Sequence, residues 1–304
     1  MNIVFMGTPA FGVPILTMLA RDHHVLLVVT QPDKPTGRKR IMMASPVKQA
    51  AEILGIPVFQ PVKIKHDYET ILKVGADVLI TAAYGQILPQ ALLSGITSLN
   101  VHGSLLPQYR GAAPIQYALF DGLKKTGITI MEMVYQMDAG PIILQDSLAI
   151  EDDDDFESLS KKLSQLGVDL LSKVLTDFDR YFDQRQPQDI QKVTFSPLIK
   201  YADESIDFHW QSDKIIHRIR GLSPEPGAHF LYQGDLFKVY QAVKSDIIVG
   251  DEAPSTILET KKRLTIKTAD GAIDITMIQA QGKKKLSIKD FLNGQTVFHI
   301  GDRI

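Results

Sequence analysis

The stretch SLNVH at 98–102 places two polar side chains in a sequence that otherwise reads as a buried β-strand. Side chains two positions apart on a strand point to the same face, so the amide of Asn100 and the imidazole of His102 are expected side by side. Burying such groups without partners costs about 1–3 kcal/mol each. A lone Asn or His in a strand more often makes a structural hydrogen bond, but a pair at the end of a central strand favours chemistry.

A carboxylate stands between two apolar stretches, in the sequence MDAGP at 137–141. Asp138 has the side chain of an ordinary turn residue. It also has the chemistry to orient His102 and to relay a proton. Both interpretations stay open at this point, because the sequence does not show whether the two side chains meet.

The catalytic motifs of several other classes are missing from the chain. The segment GTPAFG at 7–12 lacks the third glycine of a dinucleotide fingerprint, and no GK[ST], HExxH or GxSxG occurs. The chain has no cysteine, which excludes disulfides, thiolate nucleophiles and cysteine-ligated zinc. We expect no metal site.

Two further stretches offer binding surfaces. AAYGQILP at 82–89 is either a plain turn after a strand or an apolar wall for a flat heterocycle, formed by Ile87 and Leu88. The loop QPDKPTGRKR at 31–40 carries four cations, Lys34, Arg38, Lys39 and Arg40. This loop is either a solvated tip or an arm that binds phosphates, as in proteins that bind nucleic acids.

In the first half of the chain, β-branched runs alternate with amphipathic stretches, which predicts the strand–helix units of a doubly wound parallel sheet. Strands are predicted at 2–7, 24–32, 58–61, 76–85 and 98–103, with two more meeting at 137–140. Helices are predicted at 14–20, 45–55, 67–74, 112–122 and from 156 to about 185. Ser45 is the expected N-cap of the second helix, with Pro46 in its first position.

The last third of the chain has a different texture. Residues 186–205 are polar, lose periodicity and contain two prolines, as a linker does. From 206 onwards, short strands and glycine turns recur at regular spacing, which predicts a small all-β barrel. We therefore expect an α/β domain at 1–185, a linker at 186–205 and a barrel domain at 206–304.

Size and composition are those of a globular protein. The chain has 304 residues, 44% of them hydrophobic, and a formal net charge of −2. Only a slight basic excess follows residue 206, so a basic partner-binding face would have to be local. No apolar run approaches the roughly 20 residues that cross a bilayer, and the N-terminus lacks the pattern of a secretory signal. We expect a monomeric protein of the cytoplasm, with no membrane partner.

Several collinear stretches together resemble the methionyl-tRNA formyltransferase family. They are GTPAFGVP, QPDKPTGRKR, SPVK, AYGQILP, NVHGSLLPQYRGAAPIQ, TGITIM and MDAGPI. The resemblance implies a Rossmann-like N-terminal formyltransferase domain followed by an OB-like barrel that helps to hold tRNA. It also implies transfer of a formyl group from 10-formyltetrahydrofolate to the amino group of initiator methionyl-tRNA.

The resemblance assigns roles to particular residues. The family's catalytic trio falls on Asn100, His102 and Asp138. Its folate-binding run falls on Ser104, Leu105, Leu106 and Pro107, and its loop on the pterin side on Gln86, Ile87, Leu88 and Pro89. The arginine that the family inserts at the acceptor end of the tRNA falls on Arg38, and the neighbouring cations are Lys39 and Arg40.

Three positions depart from the family's usual residues. Ala10 replaces an acid, Leu198 a basic residue of the linker, and Glu225 a tryptophan at the entry of the barrel. These departures leave the catalytic trio intact and concern the contacts of the linker and the barrel with tRNA. Two alternatives stay open beside the main interpretation, the first because the arrangement of Asn, His and Asp also resembles that of other folate-dependent formyltransferases. The chain could formylate glycinamide ribonucleotide or a sugar nucleotide, or it could be an RNA-binding module without catalysis.

Overall fold

The computed structural model describes the chain except for residues 37–40 and 295–296. The described residues form two compact units, whose segments alternate along the chain. The N-terminal unit comprises Met1–Pro114, Lys125–Ala149 and Ser160–Pro197, and the C-terminal unit comprises Ile115–Lys124, Ile150–Leu159 and Leu198–Ile304. Within the parts of the chain that are described, no helix is long and apolar enough to span a membrane.

Strands and helices alternate along the N-terminal unit. Its strands are β1 Asn2–Gly7, β2 His24–Val29, β3 Lys34–Thr36, β4 Ile41–Met43, β5 Val58–Phe59, β6 Val78–Ala82, β7 Ser98–His102, β8 Arg110–Gly111, β9 Lys125–Glu132, β10 Ile142–Ala149 and β11 Phe195–Ser196. The helices up to residue 183 are α1 Gly12–Asp22, α2 Pro46–Ile53, α3 Ile64–Asp67, α4 Glu69–Leu72, α5 Gln90–Gly95, α6 Pro114–Phe120, α7 Phe156–Thr176 and α8 Phe178–Asp183, of which α6 and α7 run through both units.

The main sheet of the N-terminal unit has the strand order β10-β9-β7-β6-β1-β2-β5 among the described residues. The five strands from β7 to β5 in this order are parallel, and β9 and β10 join antiparallel at one edge. All five residues of β6 are buried, as expected of a central parallel strand that is covered on both faces. The C-terminal ends of β1, β6 and β7 therefore meet at one edge, where open α/β sheets bind ligands.

The C-terminal unit contains a curled antiparallel sheet. Its strands are β12 Ala228–Tyr232, β13 Asp235–Lys244, β14 Ile257–Glu259, β15 Leu264–Lys267, β16 Ala272–Ala280 and β17 Leu286–Ser287, with the helices α9 Ser212–Leu222 and α10 Ile288–Gly294. The strand order is β12-β13-β16-β15-β14, and β17 pairs with β16. The rings of Phe230, Phe237 and Phe298 pack together in its core. Gln233 and Gly234, both with positive φ, form the tight turn between β12 and β13.

The predicted fold class is confirmed, with differences at the level of elements. Ser45 caps α2 as predicted, because its hydroxyl accepts a hydrogen bond from the amide of Lys48 at 3.1 Å. The helix predicted at 67–74 is instead two short helices, α3 and α4. The helix predicted from 156 to about 185 breaks at Asp177, whose φ of −138° and ψ of 57° are not helical.

Candidate active site

Asn100 and His102 lie in the second half of β7, in the interior of the sheet. β7 pairs in parallel with β6 on one side and antiparallel with β9 on the other. This register puts Asn100 opposite Thr81 and His102 opposite Thr129. His102 is buried, and Asn100 is half-buried. The two polar side chains predicted from the sequence therefore stand next to threonines, at the edge where open α/β sheets generally bind ligands.

The structure brings His102 and Asp138 together. Nδ1 of His102 lies 3.8 Å from Oδ1 of Asp138, and the two side chains are 5% and 14% exposed. Nε2 of His102 lies 3.0 Å from the carbonyl oxygen of Tyr109. Because a carbonyl oxygen only accepts hydrogen bonds, Nε2 carries a proton in this arrangement. Nδ1 is therefore the ring nitrogen that faces the carboxylate.

The amide of Asn100 is fixed at its oxygen. The hydroxyl of Thr81 donates a hydrogen bond to Oδ1 of Asn100 at 2.8 Å. Among the described residues, its Nδ2 group donates to none. This arrangement sets the plane of the amide and leaves two N–H donors for a ligand.

Asp138 is held in the turn between β9 and β10. Its Oδ2 accepts a hydrogen bond from the backbone amide of Gly111 at 2.8 Å. Gly111 has a φ of 127°, and a Cβ atom there would lie 2.5 Å from the carbonyl oxygen of Ser196, so this close approach requires glycine. Gly111 lies in β8, which pairs with β11. This pairing therefore positions the backbone amide that orients the carboxylate of Asp138.

The SLLP segment after β7 forms a loop tied to the sheet. The side chain of Ser104 is fully buried, and its hydroxyl donates to a backbone carbonyl of the same loop at 2.6 Å. The hydroxyl of Thr129 donates to the carbonyl of Ser104 at 2.6 Å and accepts from the amide of Leu106 at 3.1 Å. Leu106 is buried, whereas Leu105 and Pro107 are half-buried. Of these four residues, Leu105 and Pro107 are therefore the two with surface left for a ligand.

The turn after β6 contains the second predicted folate segment, Gln86 to Pro89. Oε1 of Gln86 accepts a hydrogen bond from the amide of Ile64 at 2.9 Å, which ties the turn to the start of α3. Leu88 is buried in the core of the sheet, whereas Ile87 is 67% exposed. Of the apolar wall predicted here, Ile87 faces solvent and Leu88 supports the turn from inside.

All three predicted tRNA contacts lie outside the described residues. They are Arg38, Lys39 and Arg40. The strands on either side of them, β3 and β4, pair antiparallel. Just before β3, the carboxylate of Asp33 accepts hydrogen bonds from Lys48 and Gln60, each at 2.7 Å. The bond from Lys48, followed by that from Gln60, lowers the pKa of Asp33 below its ordinary value. These contacts anchor the start of the basic loop.

Two buried side chains next to Asp138, those of Arg110 and Gln188, are not identified by sequence reasoning. Arg110 is part of the run NVHGSLLPQYRGAAPIQ, but an arginine after a proline-containing loop has no distinctive local signal. Gln188 lies in the stretch predicted to be a linker. The two side chains are buried and bonded to each other, a contact between segments far apart in sequence. No local pattern could have identified it.

The arrangement combines a fixed amide donor, an imidazole and a carboxylate at one strand edge. Such a set can donate hydrogen bonds to a developing oxyanion and move a proton during attack of an amine on a carbonyl carbon. Among the described residues, no group of three or more His, Asp or Glu side chains is placed to bind a metal ion.

Family models cover most of the chain. Residues 1–175 match the model described as formyl transferase, and residues 198–296 match formyl transferase, C-terminal domain. Together with the fold, these matches define the class: the chain is a formyltransferase.

Named relatives then identify the family. A methionyl-tRNA formyltransferase of Listeria monocytogenes is 46% identical over 298 residues, which are 96% of this chain and 95% of that protein. One from Streptococcus pneumoniae is 43% identical over 299 residues, with the same coverage of 96% and 95%. The chain belongs to the methionyl-tRNA formyltransferase family, whose members carry out folate-dependent formyl transfer.

Solved structures with low sequence identity share the fold. A complex of HypX from Aquifex aeolicus with tetrahydrofolic acid has a TM-score of 0.66 at 17% identity, covering 95% of this chain and 46% of HypX, so the chain spans about half of that protein. WlaRD, a sugar 3N-formyl transferase solved with dTDP and 5-N-formyl-THF, has a TM-score of 0.67 at 17% identity, covering 93% of this chain and 99% of WlaRD. At these identities the likeness concerns the fold alone.

Proposed function

We propose that this protein transfers the formyl group of 10-formyltetrahydrofolate to the free amino group of initiator methionyl-tRNA. The observation that carries the proposal is the distance of 3.8 Å between Nδ1 of His102 and Oδ1 of Asp138. His102 lies on the same strand as Asn100. The family relationship supports the donor and the acceptor, since the named relatives are methionyl-tRNA formyltransferases. With this role in translation initiation, we also propose a cytoplasmic location.

In the proposed reaction, the amine of the methionyl ester attacks the formyl carbon on N10 of the folate. The new C–N bond produces a tetrahedral intermediate with an anionic oxygen, and its collapse breaks the bond from carbon to N10. The Nδ2 group of Asn100 donates to this oxygen. Preorganised donors of this kind are worth about 3–4 kcal/mol each when they are removed.

His102 and Asp138 handle charge and protons in this proposal. The carboxylate of Asp138 faces Nδ1 of the imidazole, and the ring, when it carries a second proton during the reaction, stabilises the anionic oxygen. The N–H at Nε2, which the Tyr109 carbonyl holds in this structure, becomes a second donor to the intermediate. Asp138 assists transfer of the proton from the attacking amine to N10 of the leaving folate, directly or through a water molecule.

We further propose that two apolar patches and one basic loop bind the substrates. Leu105 and Pro107 in one loop, and Ile87 in the other, contact the folate. Arg38, Lys39 and Arg40 contact the acceptor end of the tRNA, since cations on a loop attract phosphates. These three residues bind phosphates in this proposal without taking part in the reaction of the catalytic trio.

A substrate competition tests the proposed function. The purified protein is given 10-formyltetrahydrofolate with charged initiator tRNA, glycinamide ribonucleotide or an amino-sugar nucleotide, and the methionyl-tRNA product is scored by loss of its reactivity towards amine reagents. We expect kcat/KM for methionyl-tRNA to exceed that for the other two acceptors by about a hundredfold or more. Preference for a sugar nucleotide, or transfer to none of the three, would contradict the proposal.

A further inference from the structure

Gln188 uses both ends of its amide inside the N-terminal unit. Its side chain is 9% exposed, although it lies in a polar segment of the chain. Oε1 accepts hydrogen bonds from Nε and Nη2 of Arg110, at 3.0 and 2.8 Å. Nε2 donates to the backbone carbonyls of Asp138 and Gly140, each at 2.8 Å. One buried side chain therefore joins an arginine to the turn that carries the carboxylate.

The turn that carries Asp138 needs such support. Asp138 has a φ of 49°, in the left-handed region, which residues with a Cβ atom adopt uncommonly, although aspartate does so more readily than most. Its neighbour Met137 is exposed, so packing on that side does not hold the turn. A strained backbone persists where surrounding contacts fix it. The two hydrogen bonds from Gln188 are contacts of this kind.

Arg110 gives Gln188 a rigid base. Its side chain is 6% exposed, and both hydrogen bonds to Gln188 come from one edge of the planar guanidinium. The backbone of Arg110 is tied in turn to the same segment, because its amide donates to the carbonyl of Thr194 at 2.9 Å. The next residue, Gly111, donates to the carboxylate of Asp138. The carboxylate and the backbone of Asp138 are thus held from the same two segments.

We propose that Gln188 is a positioning residue, which fixes the carboxylate of Asp138 against His102 during formyl transfer. The inference rests on the proposed function, because it assigns to Gln188 an effect on the chemical step. Gln188 touches neither substrate in this account. It acts through the backbone of Asp138 and Gly140.

The substitution Gln188→Glu separates the two halves of the contact. A glutamate still accepts from Arg110, whereas it can no longer donate to the two carbonyls. We expect kcat for formyl transfer to fall by about tenfold to a hundredfold, because small displacements of a catalytic group are that costly. KM for both substrates should stay within about twofold, since neither binding surface changes.

The matched control is Gln186→Glu, which adds the same charge two residues earlier. The side chain of Gln186 is exposed, and among the described residues it makes a hydrogen bond only to the carbonyl of Gln184. It should keep the kcat of the unaltered protein. Gln188→Met removes the same donors without adding charge, and its kcat, corrected for the folded fraction, should fall as in Gln188→Glu. Full kcat in folded Gln188→Met, or an equal loss in Gln186→Glu, would overturn the inference.

A double-mutant cycle with Asp138→Asn distinguishes positioning from a general structural role. If Gln188 acts through Asp138, Gln188→Glu should slow single-turnover transfer by less than about twofold in the Asp138→Asn background. An undiminished tenfold loss in that background would contradict the inference. If Asp138→Asn alone transfers the formyl group at the full rate, the catalytic role of Asp138 fails and the inference about Gln188 fails with it. An undiminished effect of Gln188→Glu in a slow Asp138→Asn variant overturns the inference about Gln188 alone.

Discussion

At the scale of single residues, the role proposed for Asn100 rests on a half-buried amide whose orientation is fixed. Thr81 occupies its oxygen, so the orientation of the amide is set before substrate binds. Its Nδ2 group, which donates to no other described residue, can then meet a developing negative charge without reorganisation. A preorganised donor contributes to the rate because it binds the intermediate better than the substrate.

Replacing Asn100 by alanine should therefore lower kcat by about a hundredfold and leave KM for the folate within about threefold. The measurement is steady-state formylation of methionyl-tRNA. The matched control is Ser98→Ala, because Ser98 lies on the same face of β7 and its hydroxyl bonds only to the carbonyl of Ile96 among the described residues. Comparable losses in the two variants would show that any polar deletion on this strand is harmful, which contradicts the assigned role.

Part of the site can be predicted from the residues alone. Alternation along a strand identifies Asn100 and His102 as neighbours, since their side chains must share a face. The approach of Asp138 depends on the turn after β9 and on its bond to Gly111, and neither has a local signal. Gln188 and Arg110 meet through long-range contacts, so only the structure reveals them.

At the scale of elements, the strands are predicted best. β1 coincides with its prediction at 2–7. It contains four consecutive apolar residues that are fully buried, as expected of a central strand covered on both faces. Helix ends are predicted less well. The break between α7 and α8 at Asp177 leaves no mark in the apolar spacing on either side of it.

The segment 186–197 shows why a polar composition is a weak guide. Its sequence resembles a linker, yet Gln186 bridges to Ile142, and β11 pairs with β8 next to the site. These are hydrogen bonds to strands that lie far away in sequence. Periodicity within the segment cannot report them, because the segment packs along its backbone rather than through an apolar face.

At the scale of the whole molecule, acid should weaken the C-terminal unit. His229 is 6% exposed, its Nδ1 has no hydrogen-bond partner among the described residues, and the ring of Tyr201 stacks on it at 4.9 Å. Burial lowers the pKa of His229, an effect that the carboxylate of Glu204 opposes and Lys238 adds to. The unfolded chain therefore binds this proton more readily than the folded chain does.

Neutral His229 contributes folding stability above the pKa of an unfolded histidine, about 6.5. This contribution should be lost as the pH falls below that value. We expect the melting temperature to drop between about pH 7.5 and 5.5, and to drop less in His229→Phe. The carboxylates with lowered pKa lose their contribution nearer pH 4, outside this window. Thermal melts followed by circular dichroism measure the effect, with His66→Gln as the exposed control. An equal drop in His229→Phe and the unaltered protein would contradict the prediction.

The most direct test of the account is the single-turnover rate of formyl transfer by His102→Ala, with 10-formyltetrahydrofolate and charged initiator tRNA both saturating. If the imidazole facing Asp138 at 3.8 Å provides the charge and the donor for the tetrahedral intermediate, the rate should fall by about a hundredfold or more, in a protein whose melting curve shows it folded. A folded His102→Ala variant that transfers the formyl group within about threefold of the unaltered rate would contradict the account.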